Sequence, residues 1–242
     1  RYGTVTGVQT CALPIYFFNT QNFDTLEYIN IAPVKPEEVK TIEFGYRGTI
    51  LKNIFVDLAA YYSRYKHFIG YKLGADITEL PLYGTIYVNN IYRVATNAID
   101  EVTTRGFSIG VNYYFRKYYM LTGNYSYNKL DRGGSTDPLI PAFNTPENKY
   151  NIGFSARDLH DFGFNINYKW VEGFDYEGSP QFTGHVPSYN MVDAQVNYRV
   201  QNIHSTLKLG ASNLLNNKKF TVYGGPRVGR MAYVCITVDL AE

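Results

Sequence analysis

The chain has 242 residues, with 23 Lys and Arg against 21 Asp and Glu, so its formal net charge is +2. This balance gives no general attraction to nucleic acid, because sequence-independent phosphate binding needs a clustered basic excess. Aromatic residues make up 17% of the chain and charged residues 18%, the latter below the roughly 25% of ordinary soluble domains. The sequence has no run of about 18 apolar residues, which excludes a transmembrane helix but not a membrane β-barrel.

The first 15 residues differ in character from the rest. Residues 5–15 resemble a translated sequencing-library adapter, so we expect residues 1–15 to be an artefact without a structural role. The alternative is a genuine short strand. We expect the remainder to be the C-terminal piece of a longer chain, with residues 16–38 in an external loop. Without the first 15 residues Cys235 is the single cysteine, which predicts no internal disulfide.

Apolar and polar residues alternate along most of the chain. In the stretch 103–115, Phe107, Ile109 and Val111 are apolar, whereas the even positions between them are small or polar. This period of two indicates a strand with one apolar and one polar face, and no segment has helical spacing. The chain is therefore predicted to be all-β. The alternating stretches are residues 41–47, 54–63, 103–115, 121–126, 150–155, 162–170, 192–199, 206–212 and 233–240.

The links between these strands distinguish a soluble sandwich from a membrane barrel. Short links alternate strictly with long ones, which is typical of periplasmic turns and external loops in an antiparallel up-and-down transmembrane barrel. A sandwich has Greek-key crossings and no such asymmetry. The stretch 85–96 is predicted to be a hairpin inside an external loop. The short links are 48–52, 116–117, 158–160 and 201–203, and the long links are 67–100, 131–148, 171–187 and 216–228.

Two further observations support a fragment of a larger membrane barrel. Tyrosine and phenylalanine crowd both sides of the 116–117 link, which suits the aromatic girdle at a headgroup boundary. The count gives nine wall strands, from about 39–47 to about 230–240. Complete single-chain barrels have an even number of strands, so further strands are expected upstream.

Several segments resemble the barrel of TonB-dependent outer-membrane receptors. Residues 36–47 read Pro-Glu, a spacer and then Glu-Phe-Gly-Tyr-Arg, similar to the Pro-Glu and Glu-x-Gly-x-Lys/Arg pattern of a barrel strand in that family. The resemblance extends over about residues 36–240, and its strength lies in the number and order of the segments. The other similar segments are 104–107, 144–151, 192–195, 208–216 and 229–231.

The resemblance implies a function as well as a fold. Residues 39–242 are identified as the C-terminal portion of a receptor barrel of about 22 strands in a Gram-negative outer membrane. The family implies TonB-energised uptake of a scarce solute, of the siderophore, cobalamin, oligosaccharide or peptide class. The implied partners are the TonB complex, acting through an N-terminal plug domain outside this sequence, the solute on the external loops, the lipid bilayer and a surface lipoprotein, with no nucleic acid.

Two sets of residues are candidates for contacts in such a receptor. Aromatic residues in the long links could stack on a sugar or catechol solute, although packing of one loop on another is the favoured interpretation. They are Tyr71, Tyr83, Phe143, Phe174, Tyr176 and Phe182. Charged residues predicted on the lumen face form either a solvated ladder or salt bridges to the plug. They are Glu43, Asp57, Arg105, Asp193, Arg199 and Lys208.

Candidates for catalysis are few. His160 lies between two aspartates in a short turn whose adjacent residues point apart, and His204 and Ser205 are predicted to face opposite sides of a strand. Residues 224–230 lack the Gly-Lys-Ser/Thr ending of a phosphate loop and are predicted to lead into the last strand. We expect no catalytic, cofactor-binding or metal site, and therefore no enzyme.

One alternative remains open. Without the first strand, eight strands have both ends on the inner side, which is a permitted count for a small autonomous outer-membrane barrel. Such a barrel would be porin-like, an adhesin or a barrel hydrolase. Its interior would have to be filled with side chains, whereas several glycines are predicted to face inward here.

Overall fold

The computed structural model describes residues 15–17, 27–28, 32–80, 85–137, 139, 141–178 and 182–238. Residues 1–14, which include most of the predicted artefact, lie outside this part of the chain. The strands in chain order are β1 (Ile15–Phe17), β2 (Glu27–Tyr28), β3 (Glu38–Ile50), β4 (Ile54–Lys66), β5 (Ile69–Leu80), β6 (Thr85–Asn97), β7 (Val102–Phe115), β8 (Tyr119–Asp131), β9 (Asn148–Leu159), β10 (Phe162–Val171), β11 (Phe174–Glu177), β12 (Thr183–Val186), β13 (Tyr189–Val200), β14 (Ser205–Ser212) and β15 (Met231–Val238).

Nine strands form one antiparallel sheet in the order β15-β14-β13-β10-β9-β8-β7-β4-β3. Each wall strand pairs with the next wall strand along the chain, which confirms the predicted up-and-down topology and the count of nine. The closed eight-stranded alternative requires β4 to pair with β15. Instead, β4 pairs with β7 on one side and with all 13 residues of β3 on the other.

The links confirm the predicted alternation. At one end of the sheet the connections are short, and one of them contains a 3-10 helix, Gln201–Ile203. At the other end, which we call the loop end, the links are long and carry strands of their own. The hairpin β5–β6 lies there as predicted, and its sheet also includes β1 and β2. The hairpin β11–β12, within the predicted 171–187 link, had no counterpart in the sequence pattern.

The sheet has one apolar face. Its alternating positions include Ile42, which is 77% exposed, and Phe44, which is 68% exposed, so these side chains have no protein layer over them. Aromatic side chains lie near both ends of this face. Tyr150 stacks on Trp170 towards the loop end, and Phe115 stacks on Tyr119 at the short turns. An apolar face with aromatic residues near both ends is the arrangement of a membrane barrel wall.

The opposite face is polar and hydrogen-bonded across strands. The Thr41 and Ser63 hydroxyl oxygens are 2.9 Å apart between β3 and β4, and Asn151 Nδ2 donates to Asn124 Oδ1 at 2.7 Å between β9 and β8. Side-chain amides and hydroxyls dominate this face. A polar face of this kind suits the lumen of a wide barrel.

Most of the buried apolar residues in the described part of the chain lie at the loop end, whereas Ala156 lies in β9 near the short turns. One cluster contains Ala98, Val102 and Leu139. A second contains Val171, Val186 and Tyr189, with Phe220 and Tyr223 among the side chains packed against it. The wall is therefore a single layer, and protein packing concentrates where the long links meet. No helix in the described residues is long and apolar enough to cross a membrane.

Candidate functional site

The long links are joined to one another by a buried ion pair. Lys72 of β5 places its Nζ 3.1 Å from Asp137 Oδ1, although the geometry is not that of a hydrogen bond. The other carboxylate oxygen, Oδ2, accepts from the backbone N–H of Ile99 at 3.0 Å. Arg132 donates to the Leu139 carbonyl at 2.9 Å and also to the Asp137 carbonyl. These contacts attach the 132–147 link to the β5–β6 hairpin.

A second set of bonds attaches the same link to β11. Asn144 Nδ2 donates to the Glu177 carbonyl at 3.1 Å, and the Glu177 N–H donates back to Asn144 Oδ1 at 2.7 Å. The Glu177 carboxylate accepts from the Ala142 N–H at 2.6 Å. Three links of the chain are therefore held in a fixed arrangement over one end of the sheet.

A cleft of about 330 Å³ opens between these links. Its floor includes Asn128 and Leu130, which lie on the polar side of β8. Four carboxylates and two aromatic rings line it in the described part of the chain, together with neutral residues. The charged and aromatic lining residues are Glu147, Glu172, Asp175, Glu177, Phe143 and Phe174.

The carboxylates are not equivalent. Glu172 accepts from the backbone and side-chain N–H groups of Asn148, so it is structural as well as acidic. Glu147 Oε1 lies 3.6 Å from Lys129 Nζ, and Asp175 Oδ1 lies 2.9 Å from His185 Nδ1. The Glu147 and Asp175 side chains remain 48% and 82% exposed, so both carboxylates are accessible to a ligand in the cleft.

Glu177 has a perturbed acidity. Burial raises the pKa of this carboxyl above its ordinary value, and the negative charge of Asp175 acts in the same direction. The Ala142 N–H and the charges of Arg132 and Arg93 act in the opposite direction, but burial dominates. The raised pKa reflects an acidic, partly desolvated cleft.

The predicted loop aromatics divide between the cleft and the packing of the links. Phe143 lines the cleft, Phe174 both lines the cleft and packs on the cluster around Val186, and Tyr176 packs on that cluster. The guanidinium carbon of Arg93 lies 3.6 Å from the centre of the Tyr71 ring. Phe182 is 52% exposed, and Tyr83 lies outside the described residues.

Most of the charged residues that were predicted to face the lumen do lie on the polar face of the sheet, but they do not form one cluster. Asp57 binds Arg47 between β4 and β3, and Asp193 accepts from the Asn213 N–H at 2.8 Å. The register also places three more on this face: Glu43, Arg199 and Lys208.

The structure corrects the predicted position of Arg105. It has the same strand parity as Phe107 and lies opposite Tyr62 and Lys129 in the register, so it belongs to the apolar face. The prediction was wrong because the charge was taken to indicate the lumen, although alternation along β7 already placed Arg105 with the apolar residues. Its position near the loop end lets a long basic side chain reach the boundary of the apolar layer.

The residues considered for catalysis form no site. The His160 N–H donates to the Asp158 carbonyl within a tight turn. His204 was predicted on a strand but has left-handed backbone geometry after the 3-10 helix, and Ser205 Oγ donates to the Ile203 carbonyl. The segment after Gly224 leads into β15, as predicted.

The acidic lining of the cleft was not anticipated from sequence. Two of its four carboxylates, at positions 147 and 172, lie directly beside a strand end, and a third, at position 177, is the last residue of β11. That placement was the available signal, because alternating long links bring their strand-proximal residues to one rim. The pairing of the links that closes the cleft is not encoded in any local pattern.

The sequence and fold have recognisable relatives. The family described as "TonB dependent receptor-like, beta-barrel" matches residues 13–214. The chain belongs to this family. No curated protein is significantly similar to it in sequence.

Solved structures of TonB-dependent receptors share the fold. "Copper transporter OprC" has a TM-score of 0.64 at 14% identity over 84% of this chain and 31% of that chain. The siderophore receptor PirA from Acinetobacter baumannii has a TM-score of 0.57 at 15% identity over 84% of this chain and 32% of that one. An apo form of the FrpB iron transporter from Neisseria meningitidis has a TM-score of 0.59 at 14% identity, over 85% of this chain and 32% of that chain. The chain therefore spans about a third of the length of these structures.

Proposed function

We propose that the chain is part of the wall of an outer-membrane receptor that takes up a scarce solute with energy from the TonB complex, and that it has no enzymatic activity. The family and the fold support a transport role. In this assignment the apolar face contacts lipid, the polar face lines the lumen, and the loop end is extracellular. A plug domain would lie against the polar face and transmit the action of TonB.

The acidic and aromatic cleft supports the proposed class of solute. Its volume of about 330 Å³ lies within the range of pockets for small organic ligands, roughly 300–1,000 Å³. Within the described residues, no group of three or more His, Cys, Asp and Glu is placed to hold a metal ion. We infer that the solute is a positively charged metal chelate, larger than a bare ion. Siderophore complexes belong to the solute classes named by the resemblance.

The cleft geometry supports two kinds of contact. The exposed carboxylates of Glu147 and Asp175 attract positive charge, while Phe143 and Phe174 offer ring faces to planar or apolar parts of a chelate. Glu177 and Glu172 hold the surrounding backbone through their hydrogen bonds, so their main contribution is to shape the cleft.

Binding to the refolded chain in detergent micelles tests the solute class. The probes are a cationic ferric chelate and an anionic one of similar size, measured by quenching of the single tryptophan, Trp170. A double variant, Glu147→Gln with Asp175→Asn, should weaken the cationic chelate by about tenfold. Asp158→Asn, at the opposite end of the sheet, is the matched control and should leave affinity unchanged.

Uptake in cells tests the transport role separately. Cells expressing the gene that encodes this chain should accumulate the radiolabelled chelate only when TonB is present and the inner membrane is energised. Equal uptake without TonB would overturn the transport mechanism. Equal binding of cationic and anionic chelates would overturn the solute class alone.

A further inference from the structure

A cavity of about 480 Å³ lies at the short-turn end of the sheet, away from the cleft. Residues of three neighbouring short turns border it, and its volume is within the roughly 300–1,000 Å³ of small-ligand pockets. None of its lining residues has a part in the cleft, so it is a separate candidate site. The side chains that bear on its chemistry are Tyr118, His160, Asp161, Arg199 and Gln201.

Asp161 and Arg199 are neighbours across the sheet, but their side chains do not pair. The Arg199 N–H donates to the Asp161 carbonyl at 2.9 Å, one residue beyond the Phe162–Tyr198 pair of β10 and β13. Opposite charges at such cross-strand positions ordinarily attract each other. Within the described residues, however, neither side chain is in an ion pair, and Asp161 Oδ1 accepts from Gln201 Nε2 at 2.7 Å. The Arg199 guanidinium therefore lies beside a carboxylate that has an oxygen to spare.

The turn that carries Asp161 has an unfavourable backbone conformation. Three of the four residues 158–161 have a positive φ, which is 71° at Asp161, against two in the turn after β3 and one in the turn after β7. Positive φ costs an L-residue free energy that glycine does not lose. Backbone strain of this kind concentrates at binding sites, where particular side chains have to be held in place.

The two adjacent charges select a ligand that carries both signs. Arg199 offers a planar set of donors that matches a carboxylate, and Asp161 accepts from an ammonium group. An α-amino acid centre has its ammonium and its carboxylate on one carbon, so it reaches both side chains at once. The Tyr118 ring, which is 38% exposed, offers a surface to the aliphatic part of such a ligand.

We propose that this cavity binds the side-chain end of a diamino acid in a cell-wall peptide, with the ligand carboxylate on Arg199 and its ammonium on Asp161. In the proposed membrane placement the short turns face the periplasm, which contains the cell wall. An ordinary peptide has its ammonium and its carboxylate on different residues, whereas such a diamino acid keeps both on one carbon of its side chain. The inference depends on that placement and goes beyond solute uptake, because the contact would attach the receptor to the wall.

Fluorescence polarisation with the refolded chain in micelles tests the proposal. The probe is the tripeptide L-Ala-D-Glu-diaminopimelate, labelled at its N-terminus. The matched peptide has lysine in place of diaminopimelate, so it keeps the side-chain ammonium and lacks only the carboxylate beside it. We expect the lysine peptide to bind at least about tenfold more weakly, because Arg199 has no partner in that complex. Free alanine should compete only weakly, because it lacks the rest of the peptide.

Single substitutions assign the binding to the two charges. Arg199→Gln should bind both peptides equally, as weakly as the parent chain binds the lysine peptide. Asp161→Asn should weaken both peptides alike, because both carry the ammonium. Lys52→Gln, in another short turn, removes a positive charge elsewhere and should keep the preference of the parent chain. Circular dichroism checks that each variant keeps the β-content of the parent chain.

Each possible failure has its own meaning. Equal binding of the two peptides by the parent chain overturns the site and leaves the transport proposal standing. A preference that persists in Arg199→Gln overturns the assignment to this cavity. Competition by free alanine as strong as that of the unlabelled diaminopimelate tripeptide overturns the cell-wall assignment, because the cavity would then accept any amino acid.

The membrane orientation on which the site depends has a separate test. His160→Cys in a Cys235→Ser background puts a thiol in the turn beside the cavity. In intact cells this thiol should not react with a membrane-impermeant maleimide any more than the background chain does, and it should react once the outer membrane is opened. Reaction in intact cells would place the short turns on the cell surface and overturn both the orientation and the cell-wall site.

Discussion

Lys72 and Asp137 form an ion pair between two long links, with Nζ 3.1 Å from Oδ1 and an Asp137 side chain that is only 2% exposed. Removing one partner of a buried pair leaves an uncompensated charge, which costs about 3–5 kcal/mol when burial is complete. Lys72 is 20% exposed, so we expect Lys72→Met to cost about 2–3 kcal/mol of local stability. Faster hydrogen exchange at the Ile99 amide, which donates to Asp137, reports the loosening.

An exposed pair provides the comparison for this effect. Lys129 and Glu147 have side chains that are 38% and 48% exposed, at a separation of 3.6 Å. Exposed pairs contribute about 0–1 kcal/mol, so Lys129→Met should change amide exchange in the links by much less than Lys72→Met. Equal effects of the two variants would show that burial of Asp137 does not control how the links are held.

The raised pKa of the Glu177 carboxyl predicts that the stability of the long links depends on pH. Its pKa in the folded chain is raised above the ordinary value of 4.5, mainly by burial. The folded state therefore binds the proton more tightly than the unfolded state, and stability falls as pH rises from 4.5 through the folded pKa. Below pH 4.5 the stabilising contribution of the protonated Glu177 carboxyl is fully present, and above the folded pKa it is lost.

The variant Glu177→Gln isolates this carboxyl, because an amide oxygen can still accept from the Ala142 N–H. Urea unfolding followed by Trp170 fluorescence gives the free energy of unfolding of both chains at several pH values. The difference, variant minus parent, should increase as pH rises through the window and be constant outside it. A difference that does not vary with pH would contradict the dominant role of burial.

The wall was predictable from sequence because its information is local. Alternation along β7 requires only neighbouring residues, and the lengths of the links determine which strands pair. Arg105 shows the limit of reasoning from charge, since strand parity decides the face and a charge at a strand end is tolerated on either one. The contact of Lys72 with Asp137 joins residues far apart in sequence, and no periodic pattern specifies it.

The glycines of the polar face are predicted to make room for neighbouring side chains. The Tyr233 ring lies over Gly210, and its hydroxyl donates to Gln195 Oε1 at 2.8 Å across β14. A Cβ at position 210 would overlap the ring, whereas a Cβ at Gly123, which lies on the apolar face opposite Val111, would meet nothing within 4 Å. We expect Gly210→Ala to cost about 1–3 kcal/mol through displacement of Tyr233. Gly123→Ala should be neutral or slightly stabilising in the same urea unfolding experiment, and equal costs would contradict the packing argument.

The turn between β3 and β4 contains removable strain. Lys52 has a φ of 63°, in the left-handed region that costs an L-residue about 1–2 kcal/mol. Lys52→Gly relieves this cost but gives the unfolded chain more freedom, worth about 0.4–1 kcal/mol, so we expect a net gain of about 0.5–1 kcal/mol. Lys117 lies in the equivalent turn between β7 and β8, and its φ is not positive. Lys117→Gly should therefore destabilise the chain by about 0.5–1 kcal/mol, so the two substitutions have opposite signs in urea unfolding. A loss of stability in both variants would show that the turn after β3 holds no strain that glycine can relieve.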